Sequence, residues 1–142
     1  MKKNLQSLIF LLMFALGPQL NAQDIDFTVR FNPSSSEYEV YALPDFSDPA
    51  YFVGGGSQIS LVLPESIADA PLAITTVNGG LWTDNSRVFA PAADAIHDFH
   101  GIASNGSIIS IIAGEELLLF TFPLPGGGCI GGIRLYLSLI HI

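Results

Sequence analysis

From Asp24 to Phe31 the chain alternates polar and apolar residues without a break, which sets Ile25, Phe27, Val29 and Phe31 on one side of an extended segment. Successive side chains of a strand leave the backbone on opposite faces, so a period of two marks a half-buried β-strand. Pro33-Ser34-Ser35-Ser36 turns the chain, and Glu37-Tyr38-Glu39-Val40-Tyr41 alternates again, which predicts a hairpin. Further strands are predicted over 58–63, 73–77, 87–89, 98–103, 107–112, 117–122 and 133–136. The segment 117–122 is apolar enough for the centre of a sheet. Asn105-Gly106 suits a type I′ turn, because both residues tolerate positive φ, and so predicts that 98–103 pairs directly with 107–112.

Prolines 44, 49, 64, 71, 91, 123 and 125 and the glycine groups 54–56, 79–80, 126–128 and 131–132 stand between these segments as turn signals. No long stretch has a capped helical period. The nearest, Glu65 to Leu72, is interrupted by Pro71 and can make only one turn. Many short strands separated by turns predict an all-β fold, a two-layer antiparallel β-sandwich in a single domain over 23–136.

The two ends modify this picture. Residues 1–22 have a basic start at Lys2 and Lys3, an apolar run from Leu8 to Leu16, a Gly17-Pro18 break and Ala22 before a cut, the order of a cleavable signal peptide. An apolar run of that length is about half the roughly 20 residues needed to cross a bilayer, so the expected protein is secreted or at the cell surface, without a membrane span after cleavage. Residues 137–142 coincide with the translation of a transposon end used in sequencing libraries. They are expected to be read-through, which would leave the sandwich truncated at its C-terminal end.

Both lysines lie within 1–22, so 23–136 carries thirteen acids against Arg30, Arg87 and Arg134, a net −10. Such a surface repels nucleic acid, which needs a basic footprint. It tolerates divalent cations, and it keeps an otherwise apolar domain soluble. Cys129 is the single cysteine, so the chain forms no internal disulfide.

Candidate chemistry is sparse. In His97-Asp98-Phe99-His100, Asp98 and His100 share one side of a strand while His97 points away. A zinc site needs further ligands, and no spaced Cys or His supplies them. Asp45 and Asp48, with Asp84 beside Asn85 in a second loop, offer the oxygen ligands that calcium prefers, but also ordinary Asx-turn chemistry. Gly126, Gly128 and Gly131 spell a phosphate loop, yet a strand rather than a helix follows them. Glu115-Glu116 sits in a turn, where adjacent acids are solvated. Phe46, Tyr51 and Phe52 fall in a long connection, and Trp82 follows the Gly79-Gly80 turn. Exposed rings of this kind stack on sugars; buried ones close the end of a core. No Gly-x-Ser-x-Gly elbow is present.

Several strings together resemble a group of secreted, cohesin-like β-sandwich proteins of bacteria that use type IX secretion. They are Tyr38-Glu39-Val40-Tyr41, Ser57-Gln58-Ile59-Ser60, Pro71-Leu72-Ala73-Ile74-Thr75, Val77-Asn78-Gly79-Gly80, Trp82 with Asp84-Asn85-Ser86, Asp98-Phe99-His100-Gly101, and Leu119-Phe120-Thr121-Phe122 leading to Gly126-Gly127-Gly128-Cys129. The resemblance implies a cohesin-like, carbohydrate-binding-like or immunoglobulin-like sandwich, an encounter with the export machinery and a docking or adhesion role without catalysis. The expectation is therefore a non-catalytic module for adhesion, glycan contact or surface-protein assembly, with Phe46, Tyr51, Phe52, Trp82, Asp98 and His100 as candidate ligand contacts. No cofactor is expected beyond calcium at Asp45, Asp48 or Asp84. The alternatives are a secreted hydrolase or its accessory module, in which Asp98, His100 and Glu116 meet in a cleft, and a structural spacer.

Overall fold

The computed structural model describes residues 23–136, so the expectations for 1–22 and 137–142 lie outside the described residues. Ten strands follow one another: β1 (Ile25–Asn32), β2 (Glu37–Pro44), β3 (Asp48–Val53), β4 (Gln58–Pro64), β5 (Thr75–Thr76), β6 (Trp82–Val88), β7 (His97–Ser104), β8 (Ser107–Ile111), β9 (Leu117–Pro123) and β10 (Arg134–Leu135). The described residues contain no helix, and none long and apolar enough to cross a membrane. The first sheet has the order β1-β2-β9-β5, the second β10-β4-β7-β6, and β3 pairs with β8 as a separate ribbon. Every pairing is antiparallel. The fold is all-β, in line with a β-sandwich.

The first hairpin forms, with Ile25, Val29 and Phe31 half-buried as expected but Phe27 40% exposed. Asn32 pairs with Glu37 across the Pro33–Ser36 turn, and the register runs to Ile25 opposite Pro44. In β2, Tyr38, Val40, Ala42 and Pro44 are buried while their neighbours are half-buried. The apolar β9 sits between β2 and β5, as its composition predicts, with Phe120 and Phe122 sealed from solvent. Both large sheets feed one core: Val40, Phe120 and Phe122 from the first meet Leu61, Leu63, Ile102 and Trp82 from the second. The Trp82 and Phe120 rings stand 5.3 Å apart, and Tyr38 stacks on Phe122 at 5.4 Å. Burying each such side chain stabilises by about 1.5–3 kcal/mol.

Four local expectations are corrected. The Asn105-Gly106 turn does not join a hairpin: β7 pairs with β4 and β6, while β8 crosses to β3. Of the two turn residues only Gly106 has positive φ, at 97°, so the type I′ geometry is absent. Asn105 is engaged elsewhere, its backbone N–H donating to the Leu81 carbonyl and its Oδ1 accepting from the Leu81 N–H. The corner is close-packed, since a Cβ on Gly80 would lie 2.8 Å from the Gly106 carbonyl oxygen. Tertiary contacts of this kind override a two-residue turn signal.

Second, the supposed connection holding Tyr51 and Phe52 is strand β3, whose alternation is broken by a register shift between Asp48 and Tyr51. Third, Asp84 and Asn85 lie within β6, at an irregularity between Asp84 and Ser86 where β6 meets β7. Fourth, the segment 73–77 contributes only the two residues of β5. Glu65–Leu72 makes no helical turn; the Ile67 N–H bonds back to Pro64 and the chain continues irregularly.

Candidate functional site

The strands bring Asp84, Asp98 and His100 into the interior at one end of the second sheet. Asp98 and His100 share the inward side of β7, as their spacing requires, and are only 2% and 3% exposed. His97 leaves on the other side and bonds Asp94. Regular alternation from the buried Trp82 sets Asp84 inward, opposite Ile102 and just before the irregularity in β6, where its Oδ2 is 2.8 Å from the His100 Nδ1 and also accepts the Leu72 N–H. Arg87 donates to the Asp84 carbonyl and stands 3.4 Å from Oδ1, which has no hydrogen-bond partner among the described residues. The Asp98 carboxylate takes the N–H of Ala90, a residue held at a φ of 36° that L side chains rarely adopt. Phe89 packs edge-on against the His100 ring.

A carboxylate on Nδ1 is how catalytic histidines are oriented. Here the ring is sealed, with Asp84 at Nδ1, Phe89 edge-on and Arg87 paired opposite it on β6. Asp98 and His100 do not converge with a glutamate: Asp98 bonds Ala90, His100 bonds Asp84, and Glu116 pairs with Arg30. Each carboxylate holds down an irregular segment, Asp84 the stretch before β5 and Asp98 the stretch after β6. Among the described residues no three His, Cys, Asp or Glu side chains are grouped to hold a metal ion. Of the calcium candidates, Asp45 accepts the Asp24 N–H and Asp48 the Ala50 N–H, which is Asx-turn chemistry for Asp48, while Asp84 belongs to the buried pair.

The aromatic candidates separate sharply. Trp82 is a core residue, 3% exposed, with its indole N–H donated to the Asn78 carbonyl. Phe46 and Tyr51 pack edge-on against each other at 5.7 Å and are half-buried. Phe52 alone stands out, 64% exposed, directly opposite Ile108, which is 67% exposed. The ribbon β3–β8 thus carries large apolar side chains on both faces, with Ser110 beside Ile108 on the outer one. Its other face, with Tyr51, Val53, Ile109 and Ile111, covers an apolar cavity of about 90 Å³ that reaches Trp82 and Leu119.

The outer face of the first sheet carries a polar network that the sequence reading did not single out. Arg30 stacks on the Tyr41 ring at 3.9 Å and pairs with Glu116. Glu39 accepts from Asn32 Nδ2 and Tyr41 OH, and these two bonds hold its carboxyl below the ordinary value. The hairpin register places Arg30 opposite Glu39, so the signal was present in the alternate polar positions of β1 and β2. In the glycine-rich loop, the Tyr38 hydroxyl donates to the Ile130 carbonyl and accepts its N–H, and burial pushes the phenol up. Cys129 is exposed beside it.

Compared with known proteins, the chain matches no family model, no curated protein and no solved structure.

Proposed function

We propose that the chain is a non-catalytic, secreted or cell-surface β-sandwich module of the cohesin-like or immunoglobulin-like kind, which attaches to other surface proteins. The observation that carries this reading is the Phe52–Ile108 pair. Two large apolar side chains stand more than 60% exposed beside each other on a ribbon that is already apolar underneath. Exposed apolar area of this sort marks contact surfaces. The export part of the reading rests on the basic, apolar and small-residue order of 1–22. The hydrolase alternative loses support because Asp98 and His100 are sealed in separate hydrogen-bond sets. The saccharide version loses its main platform with the burial of Trp82.

Retention on the cells that express the protein tests the proposal. An epitope-tagged chain is expected to remain at the cell surface, and the double variant Phe52→Ser, Ile108→Ser to be released into the medium with a melting temperature within about 3 °C of the parent's. Equal retention of both forms would sink the ribbon as the contact surface. A glycan array probed with the purified chain is expected to show no binding; a reproducible saccharide hit would replace protein attachment with glycan contact.

A further inference from the structure

Protein interiors are packed so closely that voids larger than a water molecule are few. The cavity beneath β3–β8 is about 90 Å³, room for about three water-sized groups. Its deep wall is formed by Ala42, Ile111, Leu119 and Trp82, all buried. Trp82 offers no donor there, because its indole N–H is already bonded to Asn78. A water needs two to four polar partners to stay in such a space, and this wall supplies none. Apolar cavities of similar scale remain dry and take up small hydrocarbons; a void of about 150 Å³ lined by Leu, Ile and Phe binds benzene.

The exposed members of the lining are Phe27, Ser57 and Gln58, which marks where the cavity opens. Ser57 and Gln58 are uncharged, and none of the described residues lining the cavity is charged. An anionic head group would meet no counter-charge and would face a surface of net −10. We propose that this cavity is a binding site for a short, neutral aliphatic chain, its hydrocarbon end against Trp82 and Leu119 and any hydroxyl left at the Ser57–Gln58 mouth. The site lies on the inner face of the ribbon and does not rest on the attachment role of the outer face.

Trp82 is the single tryptophan, so its fluorescence reports on occupancy without labelling. Titration of the purified chain with butan-1-ol is expected to give a saturable change, and butane-1,4-diol at the same concentrations none. Ala42→Leu projects a larger side chain into the cavity and is expected to weaken the apparent affinity by about tenfold or more. Should that variant fail to fold, Val53→Ile makes a smaller intrusion from the ribbon side and is expected to weaken binding in the same direction. Phosphatidylcholine vesicles form a second arm. Saturation with butanol assigns a free small molecule, and a response to vesicles alone assigns the end of a lipid tail. A linear response, an equal response in the filled variants, or none in either arm overturns the proposal and leaves a packing void.

Discussion

The two ends of the molecule are closed in opposite ways. At one end lie irregular segments, 65–74 and 89–96, whose backbone amides have no strand partner, and the interior supplies buried carboxylates to receive them. At the other end lies the ribbon β3–β8, whose backbone groups pair with each other. A buried backbone amide must find a partner, so closure by loops draws polar side chains into the core. Closure by a ribbon satisfies those groups internally and leaves the side chains free to be apolar on both faces. The polar cluster therefore ties down the irregular segments, and the ribbon presents Phe52 and Ile108 to solvent.

The sharpest break of this comparison is Asp84→Ala. It leaves the His100 ring and the Leu72 N–H without their acceptor and should destabilise the fold by about 2–6 kcal/mol, at about 1–3 kcal/mol for each buried group left unpaired. Urea unfolding measures it, and a loss below 1 kcal/mol would show that the cluster anchors nothing. Asp98→Ala should cost less, about 1–3 kcal/mol, because one backbone donor loses its acceptor. Its signature is local: faster amide exchange at Ala90 than at β4.

At the ribbon end, amides of β3 and β8 should exchange well before those of β4 and β7, since an isolated two-stranded ribbon is marginal while β7 lies inside a four-stranded sheet. Uniform protection would erase the contrast between the two ends. Phe52→Ser with Ile108→Ser should change stability by only about 0.5 kcal/mol in either direction, because both side chains are already in water.

Glu39→Gln is a control that touches neither end and should have the smallest effect. Hydrogen bonds from Asn32 and then Tyr41 hold the Glu39 carboxyl below its ordinary 4.5, so the folded state favours the ionised form. That contribution is present above pH 4.5 and disappears as the pH falls through the lowered value. Wild type should therefore exceed the variant slightly in stability near neutrality and converge with it in acid. A gap that widens in acid would contradict the arrangement around Glu39.

Much of this comparison could be read from the chain, but unevenly. Tyr38, Val40 and Ala42 declare their inward side because a period of two leaves no other assignment once a turn precedes them. Asp98 and His100 declare a shared side for the same reason. Their burial was not legible, because the partners that make it tolerable come from elsewhere in the chain: Asp84 of β6 for His100, and the Ala90 N–H for Asp98. Phe52 was singled out among loop aromatics, yet Ile108, its neighbour across the ribbon, was hidden by the hairpin that Asn105-Gly106 suggested.

Local alternation and punctuation determined from sequence alone that this is an antiparallel all-β protein, where most strands run, and which residues of the first hairpin face inward. Those properties depend on side-chain geometry within a few residues. Only the tertiary structure decided that β8 leaves β7 for β3, that Trp82 closes a core, and that one end is anchored by carboxylates while the other is covered by an apolar ribbon. Each of those choices depends on groups far apart in sequence competing for the same backbone partners and the same buried space, and no short-range pattern encodes the outcome.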